Sequence, residues 1–244
     1  MEATPQTDAP EIGLVGRMLR VFYAPGETFA SLARTHTKAD WWVPVALSAI
    51  MAVVVAQQVM PIAMKASMAQ MEEKMKDMPA EQREMVENMM GSQEGGVLAK
   101  VGIVTAPIMT VLMLFVAGGI LLLLAKVMGS EATYGQMLPV YAYGSLIGLV
   151  KAIVVTPLMV SKETIVIQTG LGMLFSDELL QTFAGRFLSM FELFTVWQAV
   201  VTALGLAIVG RISMGKATAG VFAVVVVLVA IGAVVSGLQA ALGG

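Results

Sequence analysis

The chain alternates five long apolar runs with shorter polar stretches. Each run is close to or above the roughly 20 residues that a helix needs to cross about 30 Å of hydrocarbon. Backbone polar groups inside a bilayer must be satisfied within the protein, and these runs are too long and too uniformly apolar for the strands of a membrane barrel. We therefore predict an all-α membrane protein, a bundle of five transmembrane helices. The predicted spans are residues 41–63, 101–127, 137–160, 191–209 and 217–241, which together form a membrane domain of residues 41–241.

Residues 1–40, which precede the first span, combine a polar tail with an amphipathic segment. The tail is acidic and rich in proline, a composition typical of disorder. In the segment that follows, apolar residues recur at helical spacing, whereas Arg17 and Arg20 lie off that face. This pattern predicts an amphipathic N-terminal helix that lies in the headgroup region and ends at Pro25. Its apolar face consists of Leu14, Met18, Val21 and Phe22.

The polar stretch between the first two spans, residues 64–100, is predicted to be a helical loop outside the membrane. Its methionines recur every three or four residues, as in the seam of a heptad repeat. The seam consists of Met64, Met68, Met71, Met75, Met78, Met85 and Met89. Thioethers at such spacing can bind Cu(I), but methionine also forms adaptable apolar faces. Because the chain has no cysteine and one histidine, we favour packing or partner docking: a hairpin, a helix on the membrane, or a pair with a second copy.

Composition supports a membrane protein and excludes several chemistries. Hydrophobic residues make up 57% of the chain and charged residues 13%, whereas soluble domains carry about 25% charged residues. The absence of cysteine and the single His36 leave almost no material for a thiol nucleophile, a metal cluster or a Ser–His–Asp triad. We therefore predict no catalytic residue, no cofactor and no bound metal. The net charge of −2 argues against general affinity for nucleic acid.

The charge distribution bears on orientation. Seven lysines and arginines fall on each side of the five predicted spans, so the raw count does not decide which side is cytoplasmic. Four of them precede the first span, which usually dominates, and this favours a cytoplasmic N-terminus. These four are Arg17, Arg20, Arg34 and Lys38. The start of the chain also lacks the pattern of a secretory signal, so the first span is expected to remain as an anchor.

Two charged residues lie within or at the edge of the predicted spans. Lys151 is well inside the third span, beside small residues that let another helix approach, and Glu192 begins the fourth span. An ionisable side chain inside a membrane is by default a functional hypothesis. Three interpretations remain open. Lys151 extends to the interface while Glu192 is solvated at a helix start, or the two form a structural ion pair, or they belong to a proton or ion relay.

Three segments follow a recognisable order and spacing. They are "VFYAPGETFASLA" at residues 21–33, "ATYGQMLPVYAYGSLIGLV" at residues 132–150, and "ELFTVWQAVVTALGLAIVGRIS" at residues 192–213. Together with the five spans, they resemble the Yip1 family of multi-pass membrane proteins, in its bacterial branch, over nearly the whole chain. The positions that match the family pattern are Pro25, Thr28, Phe29, Tyr134, Tyr143, Phe194, Trp197 and Gly205.

The resemblance implies a location and a class of partner. Eukaryotic members reside in Golgi and endoplasmic-reticulum membranes and bind small GTPases. This chain lacks the long acidic cytosolic arm of the eukaryotic pattern, which places small-GTPase binding in doubt. The bacterial branch implies a cell membrane, with the bacterial inner membrane as the expected location.

Two functional hypotheses follow. The first is a non-enzymatic membrane organiser or scaffold that acts through self-association or through other membrane proteins. Stripes of small residues in the spans, the amphipathic helix and the methionine seam favour it. The alternative is a small membrane transporter or channel that uses Lys151 and residues 161–188. Glycines and charges interrupt that apolar segment, which predicts a short helix that is buried, lies on the surface or re-enters the membrane.

Overall fold

A computed structural model describes residues 12–76, 79, 95–167 and 169–242 of the chain. Over these residues the regular elements are helices, and the β pairing is limited to an isolated bridge between Gly170 and Glu192. Each predicted span overlaps one helix that is long and apolar enough to cross a membrane, so the expectation of an all-α, five-helix membrane protein is confirmed. These helical stretches are Ala39–Glu73, Lys100–Val127, Tyr134–Ser161, Leu193–Gly210 and Met214–Leu238.

The helices are numbered in chain order. Two short helices, α1 (Leu14–Arg20) and α2 (Pro25–Arg34), precede the first span. The spans are formed by α3 (Ala39–Lys76), α4 (Gly95–Val127), α5 (Tyr134–Ser145) with α6 (Ile147–Ser161), α9 (Leu193–Gly210) and α10 (Met214–Leu242). A 3-10 helix (Leu171–Leu174), α7 (Asp177–Gln181) and α8 (Phe183–Ser189) lie between α6 and α9. Helices α5 and α6 form one span that is interrupted by a single turn residue, Leu146.

Helices α3 and α4 form an antiparallel pair. The ring of Trp41 near the start of α3 lies 5.9 Å from that of Phe115, and Met60 further along packs over Gly102, nearer the start of α4. Short connections at residues 128–133 and 211–213 join the later spans at one end of the bundle, which we call the near end. The ends of α6 and α10 define the opposite, far end.

Helix α9 is the most enclosed span. Half of its most apolar stretch is buried inside the protein, compared with 28% or less for the other four spans. Small side chains make this close packing feasible, since they let neighbouring backbones approach. The buried alanines and glycines of α9 are Ala199, Ala203, Gly205, Ala207 and Gly210. With 18 residues it is also the shortest span, about 27 Å at 1.5 Å per residue.

The N-terminal segment packs against the bundle. The amphipathic segment forms two helices, α1 and α2. Their apolar side chains pack against other helices of the protein, whereas the sequence predicted one helix lying in the headgroup region. Phe22 meets Trp197 edge to face at 6.4 Å, and Phe29, fully buried on α2, packs on Gly205. The α1–α2 pair therefore runs along α9, whose small residues give it room. A second stripe remains exposed on α1 and the turn after it: Val15, Leu19 and Tyr23.

The first spanning helix is longer than the sequence predicted. Helix α3 continues through residue 63 without interruption as far as Lys76, so residues 64–76 of the methionine-rich loop extend the first span, whereas residues 95–100 belong to α4. Pro44 and Pro61 lie inside the helix. Its 38 residues correspond to about 57 Å, which exceeds the hydrocarbon thickness of a bilayer. Met78, Met85 and Met89 lie outside the described residues.

Residues 162–167 and 169–192 connect the end of α6 to the start of α9. Helix α6 continues for ten residues beyond Lys151 to Ser161, whereas α9 begins next to Glu192, the ion-pair partner of Lys151. The connecting segment must therefore return from the far end to the start of α9. On the way it packs beside the last part of α10, where Arg186 lies against Gly237 and Met190 against Gly232. Met173, Leu174 and Phe183 of the same segment remain exposed, so its packing beside α10 leaves the three predicted placements open.

Candidate functional site

A polar cluster surrounds Glu192 at the start of α9. Its carboxylate accepts hydrogen bonds from the Lys151 ammonium, the Thr169 hydroxyl and, at 3.3 Å, the Thr195 hydroxyl. The Glu192 side chain is 17% exposed and that of Lys151 40% exposed. Lys151 and Glu192 are therefore in direct contact. An ion pair between them was one of the three interpretations of the sequence.

The cluster also fixes the backbone of the connecting segment. Gly170 forms an antiparallel bridge with Glu192, and a Cβ at Gly170 would lie only 2.7 Å from the Glu192 Cα atom. Glycine is therefore required at this close approach. Glu192 holds together α6, the segment before the 3-10 helix, and α9. Non-helical backbone within a membrane bundle is tolerated where such internal partners satisfy its polar groups.

A second ion pair marks the far end of the bundle. Lys65 of α3 lies 2.6 Å from Glu163, which follows α6 by two residues. Both side chains are about 70% exposed, at 75% and 69%. The hydrogen bond and positive charge of Lys65 hold the pKa of the Glu163 carboxyl below its usual range. Because Glu163 lies just past the third span, Lys65 marks the same level on α3, and residues 66–76 continue beyond it.

The most buried charges were not identified from the sequence. Arg17 is 7% exposed and Asp40 2% exposed, and they form an ion pair at 2.9 Å between α1 and the start of α3. Tyr143, fully buried on α5, donates its hydroxyl to the same Asp40 oxygen at 3.1 Å. Arg17 was expected to lie off the apolar face, in the headgroup region. It instead connects three elements inside the protein.

Further hydrogen bonds complete this network. Arg17 donates from Nε to Ser31 at 3.0 Å and from its second terminal nitrogen to Thr35 at 3.0 Å. The other Asp40 oxygen accepts the backbone N–H of Thr37 at 2.7 Å and its hydroxyl at 3.1 Å. Buried charges are tolerated when they are paired and their remaining polar atoms are satisfied, and both conditions hold here. The Thr37-x-x-Asp40 spacing was the local signal available in the sequence, since a side chain of this type can bond a helix start.

The positions that match the family pattern each make contacts that support the fold. Pro25 starts α2, where its missing N–H costs nothing. The Thr28 hydroxyl donates to the Arg17 carbonyl at 3.3 Å, and the Tyr134 hydroxyl donates to the Phe115 carbonyl at 2.9 Å. Phe194 and Trp197 are partly buried against the main hydrophobic core.

Phe29, Tyr143 and Gly205 converge on that same core from three different elements. Phe29 belongs to α2, Tyr143 to α5 and Gly205 to α9, and all three are buried. A Cβ at Gly205 would lie 2.7 Å from the Phe29 ring and 2.9 Å from Val140 on α5. Positions that are far apart in sequence therefore describe one packing interface between the N-terminal helices and the bundle.

The methionine seam is described only in its first half. Met64 and Met75 are partly buried, whereas Met68 and Met71 are 47% and 45% exposed. No group of three or more histidine, cysteine or acidic side chains that could hold a metal ion is present in the described ranges.

Five spanning helices, of which α9 is the most enclosed, with ion pairs at helix ends and junctions, define a multi-pass α-helical membrane protein that sits in a lipid bilayer. The sequence profile of the Yip1 domain matches residues 19–236. The chain therefore belongs to the Yip1 family, and the resemblance drawn from its three segments is confirmed. No curated protein and no solved structure gave a significant match to the chain.

Proposed function

We propose that this Yip1-family protein is a non-enzymatic organiser or scaffold of a bacterial cell membrane, which acts by associating with other membrane proteins or with a second copy of itself. The observation that supports this most directly is the extension of α3 beyond the far end of the bundle. Eleven residues follow Lys65 in this helix, a length of about 16 Å. We call residues 66–76 the α3 extension.

The α3 extension has the properties of a docking surface. Met64, Met68, Met71 and Met75 recur at spacings of four, three and four residues, which places them along one helical face. Met68 and Met71 are among the exposed large apolar side chains of the protein. Methionine adapts its shape to different apolar partners. Glu72 lies beside this face, at a position that corresponds to the flank of a coiled-coil seam.

The proposed orientation places the N-terminus in the cytoplasm, because four basic residues precede the first span. The α3 extension then lies on the opposite side of the membrane from the N-terminus. Partners would accordingly be membrane proteins or copies of this chain that reach that side. Small GTPases, which are cytoplasmic, could not meet the extension there.

Cross-linking within the membrane tests the proposal. A photoreactive amino acid introduced in place of Ser67, which lies beside the methionine face of the α3 extension and remains in every variant, should capture a second copy or a membrane protein in cells. Replacing Met64, Met68, Met71 and Met75 with serine should remove the cross-linked species. The matched control is Ala69→Ser with Gln70→Ser, since both residues lie on the opposite face of the same helix. Unchanged cross-linking in the methionine variant would refute the docking role.

A small transporter is the second candidate, supported by the cluster around Glu192. Lys151 lies within the third span and part of its side chain remains exposed, beside the broken segment that connects α6 to α9. Intramembrane charges next to broken helices are typical of transport pathways. Lys151→Ala should then abolish solute flux in proteoliposomes, whereas Lys162→Ala, outside the span, should not. Absence of flux in the wild-type protein for every solute tested would argue against this candidate.

A further inference from the structure

We propose that the bundle binds a neutral lipid whose carbonyl or hydroxyl group is hydrogen-bonded by Tyr141 and Gln198. The site lies between the spans and is separate from the α3 extension, and its smaller cavity borders the cluster around Glu192 at Thr195. It rests on two adjoining cavities, on the absence of charge in their walls, and on two polar side chains that lack protein partners.

Two cavities lie on either side of Tyr141 and Gln198. One of about 440 Å³ is lined by residues of α3, α4, α5, α6 and α9 and is partly open. The other, of about 300 Å³, is lined by residues of α4, α5, α9 and α10 and is also partly open. Both are lined by Met113, Tyr141 and Gln198. Sites for small molecules typically measure 300–1,000 Å³, so each cavity has the size of a ligand site rather than of a packing defect.

The walls select the chemistry of the ligand. The lining of both cavities contains no lysine, arginine, aspartate or glutamate, and most of it is aliphatic or methionine. A charged headgroup would be desolvated here without a counter-charge, which is costly. An apolar chain fits, because methionine and branched side chains supply dispersion contacts of adaptable shape. The ligand is therefore neutral and largely hydrocarbon.

Three hydroxyls in the larger cavity are already engaged as donors. Ser48 donates to the Pro44 carbonyl at 2.9 Å, Thr110 to that of Ala106 at 3.0 Å, and Ser145 to that of Ala142 at 2.8 Å. Each bond is made within the residue's own helix, so these groups do not require a ligand.

Tyr141 and Gln198 differ from these residues. Neither side chain makes a hydrogen bond to any residue in the described part of the chain, and over the same part no fully buried side-chain nitrogen or oxygen lacks a partner. Their polar atoms must therefore reach open space, which the two cavities provide. Tyrosine offers one O–H donor and glutamine an N–H₂ donor and a carbonyl acceptor. A lipid carbonyl or hydroxyl would satisfy groups that hydrocarbon cannot.

The test uses the full-length protein in vesicles of phosphatidylethanolamine and phosphatidylglycerol. A diacylglycerol whose acyl chain carries a diazirine and an alkyne is added and photolysed, and the labelled peptides are identified by mass spectrometry. We expect labelling at the partly buried cavity walls, for example at Met51 and Val55, above the background at Leu123, which is 64% exposed on the outer face of α4. A phosphatidylglycerol with the same modified chain should label Leu123 but not the cavity walls.

Variants separate specific binding from partition into the bilayer. Tyr141→Phe with Gln198→Leu should lower labelling of Met51 and Val55 about fivefold to tenfold, the effect of losing one or two hydrogen bonds. Gln57→Leu is the matched control, because Gln57 is exposed on α3 and lines neither cavity. Ala152→Leu, which fills the larger cavity without removing a polar group, should also lower labelling and provides a second route if the double variant does not fold. Equal labelling in all variants, or labelling confined to the outer faces, would overturn the proposal.

Discussion

The ring of Phe29 lies directly on the backbone of Gly205. This contact joins the N-terminal helix α2 to the central helix α9, and the nearest ring carbon would be 2.7 Å from a Cβ at position 205. Val140 of α5 would be 2.9 Å away on the other side. The approach of three helices at this point depends on the absence of a side chain.

Gly205→Ala is therefore expected to lower the free energy of unfolding by about 1–3 kcal/mol, the usual cost of overpacking a core. Thermal unfolding of the protein in detergent micelles would measure the loss. Gly119→Ala serves as the control, because no heavy atom lies within 4 Å of a Cβ at that position in α4. The double variant Phe29→Leu/Gly205→Ala should recover part of the loss. A Gly205→Ala protein as stable as the wild type would contradict the packing described here.

The buried Arg17–Asp40 pair gives a larger effect. Asp40→Ala leaves the Arg17 guanidinium buried without its counter-charge and removes the acceptor of Tyr143, so we expect a loss of about 3–5 kcal/mol in the free energy of unfolding. Glu27→Ala removes the partner of Arg20 in an exposed pair, with side chains 40% and 60% exposed, and should cost at most about 1 kcal/mol.

Replacing both buried partners separates the charge effect from packing. Arg17→Met with Asp40→Leu removes the pair without leaving a lone charge, and it should be less destabilising than Asp40→Ala alone. Equal losses in the single and double variants would indicate that the network is not a coupled pair.

The cluster around Glu192 is expected to hold the segment 162–192 in place. Glu192→Gln weakens the contact with Lys151 and the hydrogen bonds from Thr169 and Thr195. We predict that trypsin then cleaves after Lys162 or Arg186 about tenfold faster in detergent-solubilised protein, as a loss of about 1.4 kcal/mol in local stability would produce. Glu178→Gln, in the same segment but outside the cluster, is the control. Equal cleavage rates would show that other contacts hold the segment.

The position of Lys65 relative to the membrane surface can be measured by cysteine labelling. The chain has no cysteine, so each single-cysteine variant has one site for the label. A membrane-impermeant maleimide should react readily with Ser67→Cys and Gln70→Cys in intact vesicles that expose the far end. Ser48→Cys, which lines the larger cavity between the spans, should remain unlabelled. Comparison of right-side-out and inverted vesicles also reports the orientation of the chain. Protection of position 70 on both sides would place the α3 extension inside the membrane.

The sequence was sufficient for the number, type and approximate position of the spans. Hydropathy and length are local properties, and a bilayer forces an apolar run of sufficient length to become a helix. Local pattern also identified the amphipathic face of Met18, Val21 and Phe22, all of which pack against the core. The sequence also suggested an ion pair between Lys151 and Glu192 as one of three interpretations, because a charged side chain inside a membrane is usually paired with another polar group.

Tertiary structure decided which surface covers each face. The same amphipathic pattern suits a lipid interface or a neighbouring helix, and only the small residues of α9 favour the second. Arg17 is buried because its partners come from elsewhere in the chain, with Asp40 following 23 residues later and Tyr143 a further 103 residues on. The depth at which α9 begins and the cavities beside Tyr141 and Gln198 depend on the packing of several helices at once. The sequence pattern shows which residues are apolar, but it does not show whether lipid or another part of the protein packs against them.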